Sequence, residues 1–176
     1  MNEKKKSALL KVARRLNEEG VFWGVGASFA LYMHGLVGEF HDFDLMVRRA
    51  DIHAARRVFD SLGTGRRTPP DDVYRTEIFL EYDIDGTEFD VMCNLAVRTD
   101  GREYVYRFED CPLEHREIDH VDIPLMPLED WYAIYRILPG REAKAQLLLR
   151  HLQENGCAHP ERLQAFLADL PAPKKA

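Results

Sequence analysis

Two aspartates set one residue apart inside an otherwise apolar strand pattern constrain this chain more than any other feature. In His41-Asp42-Phe43-Asp44-Leu45-Met46-Val47, the period-two alternation of a strand places Phe43, Leu45 and Val47 on one face and Asp42, Asp44 and Met46 on the other. Aspartate is depleted in strands, and two carboxylates close together on one face repel each other. A divalent cation removes that conflict. Hard oxygen donors suit Mg2+ or Mn2+, and Mg2+ is usually held by one or two protein carboxylates together with substrate phosphates and water. Asp-x-Asp alone is equally compatible with a solvated strand face, so the rest of the chain has to decide.

The 176 residues suit one domain with a helical appendage, because domains commonly run to about 100–200 residues. Ser7 is positioned to cap a first helix whose stripe is Leu9, Leu10, Val12, Ala13 and Leu16, with Gly20 as its stop. A buried strand is expected over 21–25, a short helix over 28–33 opened by Gly26, and a strand over 39–47. Asp51 is placed to cap a third helix carrying Ile52, Ala55, Val58, Phe59 and Leu62, and 65–72 reads as a loop. Segments 74–84 and 87–93 flank Asp85-Gly86, a dipeptide favoured in two-residue hairpin turns. This puts Asp90 on a strand, with Glu88 on the same side. A second pair is expected around Asp100-Gly101 and a short edge strand over 121–125. Helical periodicity then covers 128–138, 141–154 and 160–170, broken at Pro139-Gly140. The expected organisation is an α/β core over 1–125, a C-terminal helical cap over 126–170 and a frayed tail over 171–176.

Charge and composition narrow the function classes. Lys plus Arg total 24 against 30 Asp plus Glu, a net charge of -6, opposite in sign to a protein that grips a phosphate backbone. Nucleic acid is therefore disfavoured as a partner, and a small molecule whose phosphates are neutralised locally by metal ions fits better. No segment carries the roughly 20 apolar residues of a membrane span, and charge interrupts the start before a signal-peptide apolar region forms. Cys93, Cys111 and Cys157 lie far apart with no Cys-x-x-Cys pair, as expected of reduced thiols in the cytoplasm. The seven histidines contain no His-x-x-x-His pair, so His34, His41 and His151 read as structural rather than zinc-binding. Gly26-Ala27-Ser28-Phe29-Ala30 lacks the second glycine of a serine-hydrolase elbow. Tyr104, Tyr106, Trp131, Tyr132 and Tyr135 fit core spacing better than a stacking platform for a ligand.

The order of the parts carries a resemblance. Trp23-Gly24-Val25-Gly26-Ala27-Ser28, a helix, a glycine, His41-Asp42-Phe43-Asp44 and later Glu88-Phe89-Asp90-Val91 on a strand resemble the nucleotidyltransferase superfamily over about residues 20 to 93. Within it the chain looks most like the small stand-alone branch that includes lincosamide and aminoglycoside nucleotidyltransferases. The stretch Leu125 to Trp131 and Arg141-Glu142-Ala143-Lys144 are similar to the helical tail of uncharacterised members. The resemblance implies the minimal nucleotidyltransferase fold, an α+β arrangement with a mixed sheet flanked by helices.

The same resemblance implies roles for individual residues. Gly26, Ala27 and Ser28 would bind the triphosphate through backbone amides and the Ser28 hydroxyl. Asp42, Asp44 and Asp90 would ligate Mg2+ or Mn2+, Asp90 doubling as general base, with Glu88 as the alternative third acid. Arg141 and Lys144 would reach back to the phosphates. The implied reaction transfers a nucleoside monophosphate from a nucleotide triphosphate to a hydroxyl of a small molecule and releases pyrophosphate. Two other roles share the fold: a toxin or antitoxin component acting through a protein partner, and a catalytically inactive nucleotide or metal binder. The chain departs from the family pattern at Ala27, where Ser or Gly is common, and at Val37-Gly38-Glu39-Phe40, which lacks a basic residue.

Overall fold

The computed structural model describes residues 1–170 of the chain, so the tail expected over 171–176 lies outside the described residues. Helix α1 (Glu3–Glu18) begins earlier than expected because Asn2, not Ser7, caps it: the Asn2 side chain accepts a hydrogen bond from the Lys5 amide at 2.8 Å. Its stripe of Leu9, Val12, Ala13 and Leu16 is fully buried. The chain continues through β1 (Trp23–Val25), α2 (Ala27–Met33), β2 (Phe43–Val47), α3 (Ile52–Leu62), β3 (Thr64–Arg67), β4 (Ile78–Ile84) and β5 (Thr87–Cys93). A small two-stranded sheet, β6 (Ala96–Thr99) and β7 (Arg102–Val105), precedes β8 (Glu114–Ile118), β9 (Val121–Leu125), α4 (Leu128–Ile137), α5 (Glu142–Asn155) and α6 (Pro160–Asp169).

Seven strands form a mixed sheet in the order β3-β4-β5-β2-β1-β9-β8. The contacts of β2 with β5 and of β1 with β9 are parallel and the other four pairs are antiparallel, which gives the α+β class with helices on both faces. The Asp85-Gly86 hairpin forms with both turn residues at positive φ, 54° and 71°, the geometry a type I′ turn requires.

Three local expectations are corrected. The expected loop over 65–72 begins as β3, whose four residues are all exposed, so no burial alternation marked it; Arg66 Nε donates to Glu81 Oε2 across the ladder at 2.8 Å. β9 is not an edge strand, since β8 covers it on one side and Leu125 pairs in parallel with Val25 on the other. The Asp51 side chain does not cap α3. It accepts instead from the Phe22 amide at 3.0 Å and from Arg48 Nε at 2.9 Å, tying the entry of β1 to the exit of β2.

The alternation of β2 and β5 divides the interior in two. Phe43, Leu45, Val47, Phe89 and Val91 face α1 and α3 in one buried cluster. Met46 and Met92 face the other way, into a cluster with Phe108, Met126, Trp131, Ile134 and Leu148. Nearly every residue of α4 is buried, so this first helix of the expected cap is a full second layer against the sheet. Asp44 and Asp90 share the face of Met46 and Met92, and they meet α4 and α5 there.

Candidate active site

Parallel pairing sets Asp44 directly beside Asp90, with Phe43 beside Phe89 and Leu45 beside Val91. Neighbouring strands lie about 4.8 Å apart, so two carboxylates more than forty positions apart in the chain become lateral neighbours on one face. Asp42 immediately precedes β2 and opens onto the same space. All three line one cavity of about 470 Å³, together with Ala27, Ser28, Arg141 and Lys144. Two residues singled out for the site from sequence fall outside that lining: Glu88, the alternative third acid, which lines a neighbouring depression, and Gly26. The Gly26 amide donates to the Asp44 carbonyl at 2.9 Å, which fixes the turn above the acidic strand.

Gly26 is required by close approach: a Cβ there would collide with the indole ring of Trp131. The next residue, Ala27, opens α2 at φ 46°, a left-handed conformation that is unfavourable for a residue with a Cβ. Gly26→Ala is expected to push Trp131 out of place and lower stability by about 1–3 kcal/mol, as overpacking of a filled interior does. Thermal denaturation checks this, and an unchanged melting temperature would show that the indole has room to yield.

The electrostatics are polarised. Burial first, then repulsion from Asp42 and Asp90, pushes the Asp44 carboxyl up to about 8, opposed by Lys144 and Arg141. Burial, then Asp42, Glu81 and Glu88, raises Asp90 to about 7. Asp44 is partly open to the cavity at its surface, yet it lies deep enough for desolvation to outweigh its neighbours. Among the described residues, neither acid has a hydrogen bond holding its charged form. On the facing wall, burial and the adjacent Arg141 hold Lys144 below its ordinary value, and its Nζ sits 5.4 Å from the centre of the Tyr135 ring. Burial, reinforced by Asp44, raises the Tyr135 phenol, which keeps it protonated at neutral pH.

Among the described residues, no three His, Cys, Asp or Glu side chains group tightly enough to hold a metal ion by themselves. The donor set nevertheless has the chemistry Mg2+ or Mn2+ takes: hard carboxylate oxygens on an open cavity, where phosphates and water complete the shell. Mutually repelling, unpaired carboxylates are what a bound cation would relieve.

Several lining residues carried no sequence signal for a site. Trp131 and Tyr135, read as core, are core by burial but also face the cavity. Tyr104 and Tyr106 line a different cavity beside α6. His41, read as structural, lines the acidic one. Thr68, Pro69, Pro70 and Asp71 also line it, and the Pro-Pro pair was the available cue to a stiff loop there. Glu81 and Asp83 line a shallower depression on the far side of Asp42 and Asp90.

No family model and no curated protein matches the sequence. Solved structures do. A candidate nucleotidyltransferase from Thermotoga maritima superposes with a TM-score of 0.64 at 24% identity, over 88% of this chain and 97% of that one. The antibiotic-resistance factor ANT(2'')-Ia, solved in complex with adenylyl-2''-tobramycin, gives a TM-score of 0.56 at 13% identity over 92% and 94%. The lincosamide antibiotic adenylyltransferase LnuA, solved with lincomycin bound, gives 0.54 at 10% identity over 84% and 98%. Among the described residues, no helix is long and apolar enough to cross a membrane. With its mixed sheet, its flanking helices and these matches, the chain has the nucleotidyltransferase fold.

Proposed function

We propose that this protein is a divalent-metal-dependent nucleotidyltransferase that moves a nucleoside monophosphate from a nucleoside triphosphate to a hydroxyl of a small molecule, releasing pyrophosphate. The observation that carries this reading is the polarised cavity, with Asp42, Asp44 and Asp90 on one wall and Arg141 and Lys144 on the other. A metal-bound triphosphate suits this arrangement, since its cations meet the acids while its phosphates meet Arg141 and Lys144.

Asp42, Asp44 and Asp90 would hold Mg2+ or Mn2+, whose charge, when bound, neutralises the phosphates and acidifies the acceptor hydroxyl. Ser28 and the backbone around Gly26 and Ala27 steady the phosphates, and Arg141 and Lys144 draw the leaving pyrophosphate to the opposite wall. Asp90 takes the proton of the acceptor hydroxyl as its oxygen bonds to the α-phosphorus. The bond from that phosphorus to the bridging oxygen breaks, and pyrophosphate leaves with the electron pair. Holding the two reactants in line is the main task asked of the protein. A small-molecule acceptor is proposed because fold neighbours named for antibiotic substrates work on such compounds, an analogy of fold only.

A nucleoside triphosphate with Mg2+, at about 100 times its Kd, is expected to raise the melting temperature by about 5–10 °C, because a ligand that binds only the folded state stabilises it by mass action. The nucleotide alone should do much less. Thermal shift with each nucleotide, followed by a pyrophosphate-release assay against a panel of hydroxyl compounds, tests the reading. Equal shifts with and without the metal would overturn the metal bridge.

A further inference from the structure

The wall that α4 presents to the cavity holds two polar atoms that the rest of the fold leaves unused. Trp131 and Tyr135 are each 2% exposed, and both line the cavity. Among the described residues, neither Trp131 Nε1 nor Tyr135 Oη has a hydrogen-bond partner. Buried polar atoms are nearly always paired, so an orphan at a cavity wall points to a partner that enters from outside. Spaced by four positions, the two side chains lie on one face of α4, with ring centres 5.3 Å apart. The indole nitrogen rests against the backbone of Gly26, and Lys144 Nζ sits 5.4 Å from the centre of the Tyr135 ring.

The chemistry of this wall is one-sided. An indole N–H can only donate, the protonated phenol is free to donate, Ser28 adds a hydroxyl, and Arg141 and Lys144 add two cations. Among the described residues, neither cation has an ion-pair partner within 4.0 Å. The ligand that satisfies such a wall carries several acceptor oxygens and several negative charges in a short span, which describes an oligophosphate.

We propose that Trp131 Nε1–H and Tyr135 Oη–H donate hydrogen bonds to the non-transferred phosphates of a nucleoside triphosphate, so that α4 distinguishes triphosphates from monophosphates. This rests on the reading of the cavity as a nucleotide site. Both residues bind substrate directly, and neither takes part in proton transfer.

The two tryptophans of the chain make the test internal. Trp23 Nε1 already donates to Asn17 Oδ1 at 2.9 Å, so its indole signal in a 1H–15N spectrum serves as the reference, and Trp131→Phe identifies the other signal. With Mg2+, the best-binding nucleoside triphosphate and inorganic triphosphate should each move the Trp131 indole signal and leave that of Trp23 in place. The matching nucleoside monophosphate should leave both in place. Tyr135→Phe, which deletes one oxygen, should weaken triphosphate binding about tenfold by calorimetry, leave monophosphate binding level, and leave the ligand-free melting temperature unchanged. The proposal is overturned if the amides of 26–28 respond to triphosphate while the indole does not. It is equally overturned if monophosphate moves the indole as far, if inorganic triphosphate fails to move it at saturation, or if Tyr135→Phe retains full triphosphate affinity. If no nucleotide perturbs any cavity signal, the nucleotide reading itself falls, and this proposal falls with it.

Discussion

Asp44→Asn is expected to slow nucleotidyl transfer by at least about a hundredfold, some 2.7 kcal/mol of barrier. The amide keeps the shape of the carboxylate and one oxygen, but it removes a negative charge from the wall that must hold the cation. Folding should survive. Asp44 stands next to Asp90 in the sheet, and burial, then Asp42 and Asp90, raise its pKa, so the amide spares the ligand-free protein the cost of keeping a buried acid protonated or of ionising it. The melting temperature without metal should therefore stay level or rise, while the increment from Mg2+ and nucleotide disappears.

The pH dependence follows with a definite sign. Asp44 near 8 and Asp90 near 7 lie above the ordinary 3.8, so the folded protein binds more protons than the unfolded chain between those limits. Ligand-free stability is then greatest below about pH 4 as far as these two groups contribute, and it declines as pH rises toward about 8. Asp44→Asn should make that decline shallower. Pyrophosphate release and melting curves at several pH values measure both effects. A variant that is clearly less stable without metal, and that keeps its nucleotide response, would make Asp44 a structural acceptor and remove the central residue of the proposed function.

The second large effect lies away from the chemistry. Asp130, fully buried on α4, accepts from Arg162 Nε at 2.9 and 3.0 Å, from Arg162 Nη2 at 2.9 Å, and from the Tyr106 hydroxyl. Next to it, Glu129 accepts the Ala158 and His159 amides at 2.6 and 3.0 Å, so the start of α4 is clamped to the segment that leads into α6. Arg162→Leu leaves a buried carboxylate without its cation and should cost about 3–5 kcal/mol. For a domain of this size that corresponds to a melting temperature lower by roughly 6–20 °C. Because most of that loss is the penalty of an unpaired charge, the double variant Asp130→Leu with Arg162→Leu should recover much of it. A loss in the double variant equal to the sum of the two single losses would show that the pair contributes no coupling. Since α4 carries Trp131 and Tyr135, the single variant should also weaken triphosphate binding, whereas the double variant, if it repacks well, should restore it.

Much of the scaffold was legible because its signals are local. Period-two alternation placed Asp44 with Met46, and Asp90 with Glu88, on a face opposite Phe43 and Phe89, and Asp85-Gly86 specified the hairpin that carries Asp90. Pro139-Gly140 separated two helices, and Pro160 opened the last. Where a neighbour in space sets the outcome, the reading failed. β3 is exposed on all four residues and exists only because β4 offers it a ladder. Asp51 gave up its cap for the Phe22 amide and Arg48.

The sequence by itself determined which face of each strand bears acid and where the chain turns, since side-chain alternation and turn conformation depend on residues within a few positions of one another. Only the tertiary structure decided that Asp44 stands beside Asp90, because a parallel pair is joined by a long crossover whose register no local pattern specifies. It also decided that Trp131 and Tyr135 of α4, residues that read simply as core, line a cavity shared with the three acids while their indole and phenol polar atoms find no partner among the described residues. Burial and exposure to a cavity are properties of the assembled layers, and an indole carries the same letter in either place.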